Sequence, residues 1–418
     1  MDGADFTASG SRIDGSLRVR AARESDLDRI LEIHVAAFPD PRPIEVRRRL
    51  FVQNRLGDFA HLRVVERADE VLAHAFSFPL AVWFGGREVP GSAIASVGVA
   101  PEARGQGIAK ALFASIHAET EARGGTFSLL YPFRQAFYAR LGYAPVARYR
   151  IHDVSPYAIP PAWKDAAPGT LRRAQGHDRD GLARVYRDAA RRGTGSLERP
   201  ERAWDYDLLD ERRHCVVLEQ AGTVRGYVSF RLQQSEPHGR VRADVHELVA
   251  DEDSGRRRLF AALGALGDQV GEVSVAFADD DPFDWAFVDA DRDRPGTEEV
   301  EHALGVVCTG PMIRLLDPQG ALVARGYATD GAVNLAIDAG PPFGLEVRGG
   351  VAHIVPPVAE TTLHASVASI ASVAFGGLRL EDARRVGWVR ATGAVTTDAL
   401  TAAARLIGLP SFFSVDGF

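Results

Sequence analysis

The sequence predicts an α/β protein of mixed sheets, with one strand–loop–helix unit used twice and a third section of different rhythm behind it. Three observations carry that expectation. In residues 96–109, SVGVAPEARGQGIA, a β pattern breaks into a glycine-punctuated turn that opens directly into a helix. A comparable order of strands and helices returns from Thr170 without the glycines. From about Gly305 the pattern becomes alternating strands followed by helices. A chain of 418 residues exceeds one ordinary core and suits three domains, expected at 17–155, 168–304 and 305–418 behind a loose leader at 1–16.

The first unit opens with a short strand at 17–21. A helix follows, capped by Ser25 with Asp28 at the capping-box position, and Leu27, Ile30, Leu31, His34 and Phe38 share one face. On that stripe His34 reads as a core histidine. Strands at 58–66 and 71–84 pair, and the second turns at Gly85-Gly86 into 87–90 and the strand that ends at Val99. Val97 and Val99 alternate across Gly98, whose missing side chain leaves backbone that an extended ligand arm can approach as an added strand. Gly105 and Gly107 then let successive backbone N–H groups approach a diphosphate at the positive end of a helix. The bland alternative is a tight turn and nothing more. A dinucleotide loop fits less well, because these glycines lie several residues beyond the strand. The helix carries Ile108, Leu112 and Ile116 at i, i+4 and i+8 and stops at Arg123-Gly124-Gly125. A strand at 126–131, a helix with Phe133, Phe137 and Leu141 on one face, and a closing strand at 146–152 complete the unit.

Prolines at 156, 160, 161 and 168 make a linker of 153–167. The second unit has strands at 170–173, 214–219, 224–232 and 244–249, with helices at 178–191 and from about 257 to 266. Where the first unit has its glycine loop, this one has Asp251, Glu252 and Asp253, which repel a diphosphate, so the copy reads as silent. The third section has strands at 332–337, 345–348 and 351–355 and helices around 363–374 and 397–407.

Hydrophobic residues make up 46% of the chain and charged residues 25%, the balance of a globular protein. No apolar run approaches the roughly 18 residues of a membrane span, and no signal peptide is evident, so no membrane partner and a cytoplasmic location are expected. Cys215 and Cys308 stand alone, supporting neither a disulfide framework nor a metal site. A net charge of −7 argues against nucleic acid and mildly favours a cationic substrate. There is no Gly-x-Ser-x-Gly elbow, no paired helical histidines, and no base for a cysteine nucleophile beyond His214, which a strand turns away from Cys215.

Arg104, Gly105, Gly107 and Ala109 fit the Arg/Gln-x-x-Gly-x-Gly/Ala signature of the GNAT acetyltransferases. Two GNAT-like units, a sterol-carrier-like third section and a terminal aromatic together resemble the Eis (enhanced intracellular survival) family over nearly the whole chain. The segment 137–143, FYARLGY, is similar to that family's Tyr-Gly-Arg-Phe-Gly-Tyr, whose first tyrosine is the general acid. The resemblance therefore implies Tyr138 as acid, with Tyr143 the alternative by spacing, and the carboxylate of the last residue, Phe418, as base. It implies acetyl-CoA contacts at Val97, Gly98, Val99, Arg104, Gly105, Gly107, Ile108, Ala109, Lys110, Phe133 and Arg134. Phe38, Asp40, Ser96 and Asp416 would line the amine pocket. Ser96 and Gly417 replace a bulky aromatic and an acid of well-studied members, which makes the pocket roomier and less anionic, with Asp416 a partial substitute. The implied activity is metal-free N-acetylation of an amine of aminoglycoside, polyamine or lysine type, by direct transfer in a homo-oligomer, often a hexamer. A carrier protein with a vestigial CoA site, and an acyltransferase for longer acyl chains, are the alternatives.

Overall fold

The computed structural model describes residues 11–13, 17–208, 213–234, 240–288 and 304–417. Its first part runs β1 (Ser11–Ile13), β2 (Leu17–Ala21), α1 (Leu27–Ala37), α2 (Ile44–Val52), β3 (Leu62–Arg67), β4 (Glu70–Phe84), β5 (Arg87–Val99), α3 (Ile108–Ala122), β6 (Phe127–Leu130), α4 (Gln135–Ala139), β7 (Ala144–Pro145) and β8 (Arg148–Val154). The first sheet has the order β1-β2-β3-β4-β5-β6, then Met312–Leu315, then β7. Ile108, Leu112 and Ile116 of α3 are buried against it, as the spacing predicts. A second sheet orders Gly305–Thr309, β8, Val270–Ala278, Val241–Ala250, Thr223–Gln234, His214–Gln220 and Thr170–Arg173. The third has Val351–Val355, Phe343–Arg348, Gly331–Ile337, Thr361–Ala365 and Val389–Gly393. No helix among the described residues is long and apolar enough to cross a membrane.

Two strands sit where the sequence does not put them. The closing strand expected in the first sheet is β8, and it pairs instead with Val270–Ala278 and Gly305–Thr309 of the second. Its place is taken by Met312–Leu315, which pairs with β6 and β7. Alternation identifies a strand but not the edge it joins. Sheet membership therefore crosses the boundaries expected at 155 and 305.

Local chemistry shifts other elements. Asp26, not Ser25 with Asp28, closes the box before α1, its carboxylate accepting from the Arg23 N–H at 2.6 Å and from Arg20 at 2.6 and 3.0 Å. Leu363 lies on a strand, and the helix begins at Val367 behind a Ser366 cap whose Oγ accepts from the Ser369 N–H. Arg325, fully buried, donates to the carbonyls of Ala374, Leu406 and Ile407. A cation thus joins two helix C-termini, where the peptide dipoles favour it.

Candidate active site

A bulge opens the first sheet. Phe76 faces Ala95 and His74 faces Gly98, so Ala75 opposes both Ser96 and Val97. Ser96 sits at φ +49°, and the extra residue turns the end of β5. On its other side β5 is parallel to β6 only through Ile94 and Leu130. Val97 and Val99, half-buried, lie beyond the last of these pairs, along an edge that an extended arm can join.

Gly98 also has a packing reason. A Cβ there would lie 2.5 Å from His74 Nε2, so the missing side chain makes room for that ring. The loop glycines are the reverse case. Gly105 (φ +77°) and Gly107 (φ +78°) are left-handed, and a Cβ on either would meet nothing within 4 Å. Gly107 caps α3, whose first bond runs from the Ala111 N–H to the Gly107 carbonyl at 3.1 Å. The N–H groups of Ile108, Ala109 and Lys110 thus face outward, the arrangement that receives an anion. The Ile108 side chain is core, leaving only its backbone for a ligand. Lys110 is exposed on the first turn. Arg104 folds back on the carbonyls of Val99 and Ala36, both at 3.4 Å, and so braces the strand end against α1. Arg67 holds the loop through Gln106 at 3.0 Å.

Tyr138 lies on α4 and is 3% exposed, with its ring among Phe113, Phe133, Phe137 and Tyr143. Its phenol makes no hydrogen bond to a described residue, and burial pushes its pKa up to about 12. Tyr143 is also buried, but its OH is bonded to His117 Nε2 at 2.9 Å and Ser128 Oγ at 2.7 Å. The two tyrosines that spacing left equivalent are therefore distinct: one is tied into the core and one is free to donate. Phe133 is 73% exposed beside Tyr138, and Arg134 is exposed at the start of α4.

The acceptor side differs from expectation in its charges. Phe38 is half-buried against His34, with ring centroids 4.7 Å apart. Asp40 is gripped by Arg42 at 2.9 Å and by the buried Arg47 at 2.7 Å. Arg42 holds its carboxyl far below the usual carboxylate range, and its charge is already neutralised by two guanidiniums. Asp416 was expected to lend charge to the amine pocket, but it is 0% exposed and enclosed by Arg199, Arg55 and Tyr186. It cannot face an acceptor. Nothing in the sequence near Asp416 signals those partners. The remaining predicted site residue, Phe418, lies outside the described residues.

His34 is in the core as expected, near His74 at 5.8 Å between ring centroids. Burial pushes His34 down to about 4 and His74 and His117 to about 3. All three are neutral when folded and take up a proton near pH ~6.5 on unfolding. The unfolded chain then binds more protons below that pH, so stability is full above about 6.5 and falls as pH drops toward 4. The thermal midpoint should decrease between pH 7 and 5. A midpoint unchanged across that window contradicts the assignment.

In the second unit the corresponding loop has no left-handed glycine pair. Asp251 pairs with Arg184 and Arg225, each at 3.4 Å, and Gly255 lies buried within the helix Asp253–Gly264. No cluster able to hold a metal ion occurs among the described residues.

Residues 18–146 and 195–315 each match a family model described as an acetyltransferase (GNAT) domain, between them more than half of the chain. An uncharacterized N-acetyltransferase of Streptomyces griseus is 26% identical over 356 residues, 79% of this chain and 83% of that protein. The N-acetyltransferase Eis of Mycobacterium tuberculosis is 24% identical over 329 residues, 74% of this chain and 77% of its own length. Among solved structures, a GCN5-related N-acetyltransferase from Anabaena variabilis aligns with TM-score 0.79 at 19% identity, covering 96% of this chain and 100% of that one. Eis1 from Mycobacterium abscessus aligns at 0.74 with 21% identity and the same coverages. With two GNAT domains in tandem and a glycine loop opening α3 in the first, the chain belongs to the GNAT acetyltransferases, is an N-acetyltransferase, and is similar over most of its length to Eis.

Proposed function

We propose that the chain transfers an acetyl group from acetyl-CoA to an amine in its first GNAT domain, by direct attack in a ternary complex, with Tyr138 as general acid. The observation that carries this reading is the phenol: buried, without a partner among the described residues, on the helix that follows the strand where β5 and β6 part. The N–H groups at the start of α3 would hold the diphosphate. Backbone N–H groups of 97–99 would hold the pantetheine arm and polarise the thioester carbonyl. As the amine nitrogen bonds to the carbonyl carbon and the C–S bond breaks, Tyr138 hands its proton to sulfur. Desolvation that keeps the phenol near 12 also raises a thiol leaving beside it, so donor and acceptor stay matched within the cleft.

The base is carried by the resemblance, which assigns it to the carboxylate of Phe418. An α-carboxylate of reference pKa near ~3.5 needs desolvation or a water relay to take the amine's proton. Deleting Phe418 should lower kcat about 10²-fold, the range for loss of one acid–base group, and a C-terminal extension should do the same while an N-terminal one is tolerated. Undiminished activity with the extension in place rules out this base.

With Asp40 doubly paired and Asp416 enclosed, neither carboxylate is free to bind a polycation, so recognition favours an acceptor presenting one amine over a dense array of positive charge. Thiol release from acetyl-CoA over a panel of simple amines, polyamines, lysine peptides and aminoglycosides, with products identified by mass, tests the proposal. Turnover with at least one amine is expected, and CoA binding without turnover on any sinks it. The carrier alternative has a cavity of about 1000 Å³ beside the third section. Its lining sets charged groups, Asp280, Glu381 and Arg379 among them, beside apolar Leu378, Trp388 and Ile407.

A further inference from the structure

Two residues before Phe418 the tail enters a buried ionic cluster drawn from both GNAT domains. Asp416 Oδ1 accepts from Arg199 Nε at 2.8 Å and pairs with Arg55 Nη1 at 2.9 Å, while Oδ2 accepts from the Tyr186 OH at 2.6 Å. The opposite edge of Arg199 donates to both oxygens of Glu247, at 2.8 and 3.2 Å, and its guanidinium lies 3.8 Å over the Tyr186 ring. Arg55 comes from the segment between α2 and β3. Tyr131, the residue immediately after β6, donates its OH to the main-chain carbonyl of Asp416 at 3.0 Å. Burial pushes the Asp416 carboxyl up, but Arg199 and Arg55 more than offset this, and it stays below the usual range. Asp416 and Arg199 are therefore both charged, in the interior, at the end of the chain.

Stability alone is a poor reason for this cluster. Desolvating a balanced set of charges gains little over apolar packing, and apolar packing already anchors the tail through Phe412, fully buried against Phe84. What the charges add is register: the N–H groups of Arg199 and Arg55, with the Tyr186 hydroxyl, donate to the carboxylate at one depth, and a slip of one residue breaks these contacts together. Tyr131 ties that depth to the wall of the opening between β5 and β6. From Asp416 two further residues reach at most about 7 Å, so the depth of Asp416 limits where a group on Phe418 can act.

We propose that Asp416, gripped by Arg199, Arg55 and Tyr186 with Tyr131 on its carbonyl, is a positioning residue that sets the reach of the Phe418 carboxylate toward the acceptor amine. It rests on the reading that Phe418 supplies the base. Three variants test it: Asp416→Asn, Arg55→Gln, and Tyr131→Phe, which removes the hydroxyl that bonds the Asp416 carbonyl but no charge, and so remains informative if the charged variants fail to fold. Two readouts are taken on each folded variant. The first is kcat against acceptor KM and CoA affinity. The second is the rate at which a carboxypeptidase releases the terminal phenylalanine, which needs no activity. The clamp predicts a kcat loss of about 5- to 50-fold with KM and CoA affinity within about twofold, and release at least tenfold faster. Release as slow as in the parent for Tyr131→Phe and Arg55→Gln overturns the clamp, whatever the activity. Faster release with unchanged kcat overturns its catalytic role. Deletion of Phe418 separates the two readings: if kcat survives the deletion, the base fails, while slow release in the parent and fast release in the variants would still stand for the clamp.

Discussion

Tyr138→Phe is expected to lower kcat by roughly 10²–10⁴-fold, with CoA affinity within about twofold of the parent. The substitution keeps the ring that packs among Phe113, Phe133 and Phe137 and removes only an OH with no partner among the described residues. No described residue loses a hydrogen bond, so the thermal midpoint should hardly move. Tyr143→Phe should behave in the opposite way. It strips a partner from His117 and Ser128 in the core, costing about 1–3 kcal/mol of stability, with kcat changed much less. The two variants thus separate a proton donor from a packed phenol. A pH profile sharpens the comparison: with the phenol near 12, Tyr138 remains protonated through pH 10, and kcat should show no decline from its ionisation up to that pH. A kcat loss in Tyr143→Phe exceeding that in Tyr138→Phe, measured on folded protein, moves the acid to Tyr143.

Gly107→Asp is expected to weaken CoA binding by more than about 10³-fold while leaving the fold in place. The left-handed φ of +78° costs a side chain about 1–2 kcal/mol, but a Cβ meets nothing within 4 Å, so no clash is added. A carboxylate at a helix N-terminus is itself favourable to the helix. That same carboxylate occupies the N–H groups a diphosphate would use and repels its charge. Gly107→Ala, which carries the strain without the charge, should bind CoA far better than Gly107→Asp. Equal losses for alanine and aspartate would mean that the glycine serves the turn and not the anion. Gly105→Asp, in the same open loop at φ +77°, should follow Gly107→Asp.

What was legible in the sequence was local. The strand ending at Val99, the glycine loop and α3 were all readable, because periodicity and punctuation act over a few residues. α2 was not: in IEVRRRLFV the buried members are Arg47 and Phe51, and a buried arginine that donates to the carbonyls of Phe38 and Asp40 has no apolar signature. The exchange of β8 for Met312–Leu315 between sheets was hidden because pairing choice is set by packing of distant segments. Within the site, the packing of His74 against Gly98 is not legible, since His74 is cross-strand and 24 positions away. The burial of Asp416 is not legible either, because its partner Arg199 lies 217 positions earlier in the chain. Charge pairing of that kind leaves no trace in spacing.

Under the proposed function the acyl donor binds in one cradle, at the start of α3, and not in the second unit, where Asp251 sits between Arg184 and Arg225 and no glycine loop opens the helix. Calorimetric titration of CoA into the intact chain, run beside Gly107→Asp, measures this directly. One equivalent per chain in the parent and none in the variant is the predicted result; two equivalents of similar affinity, or a single equivalent that survives Gly107→Asp, would contradict it.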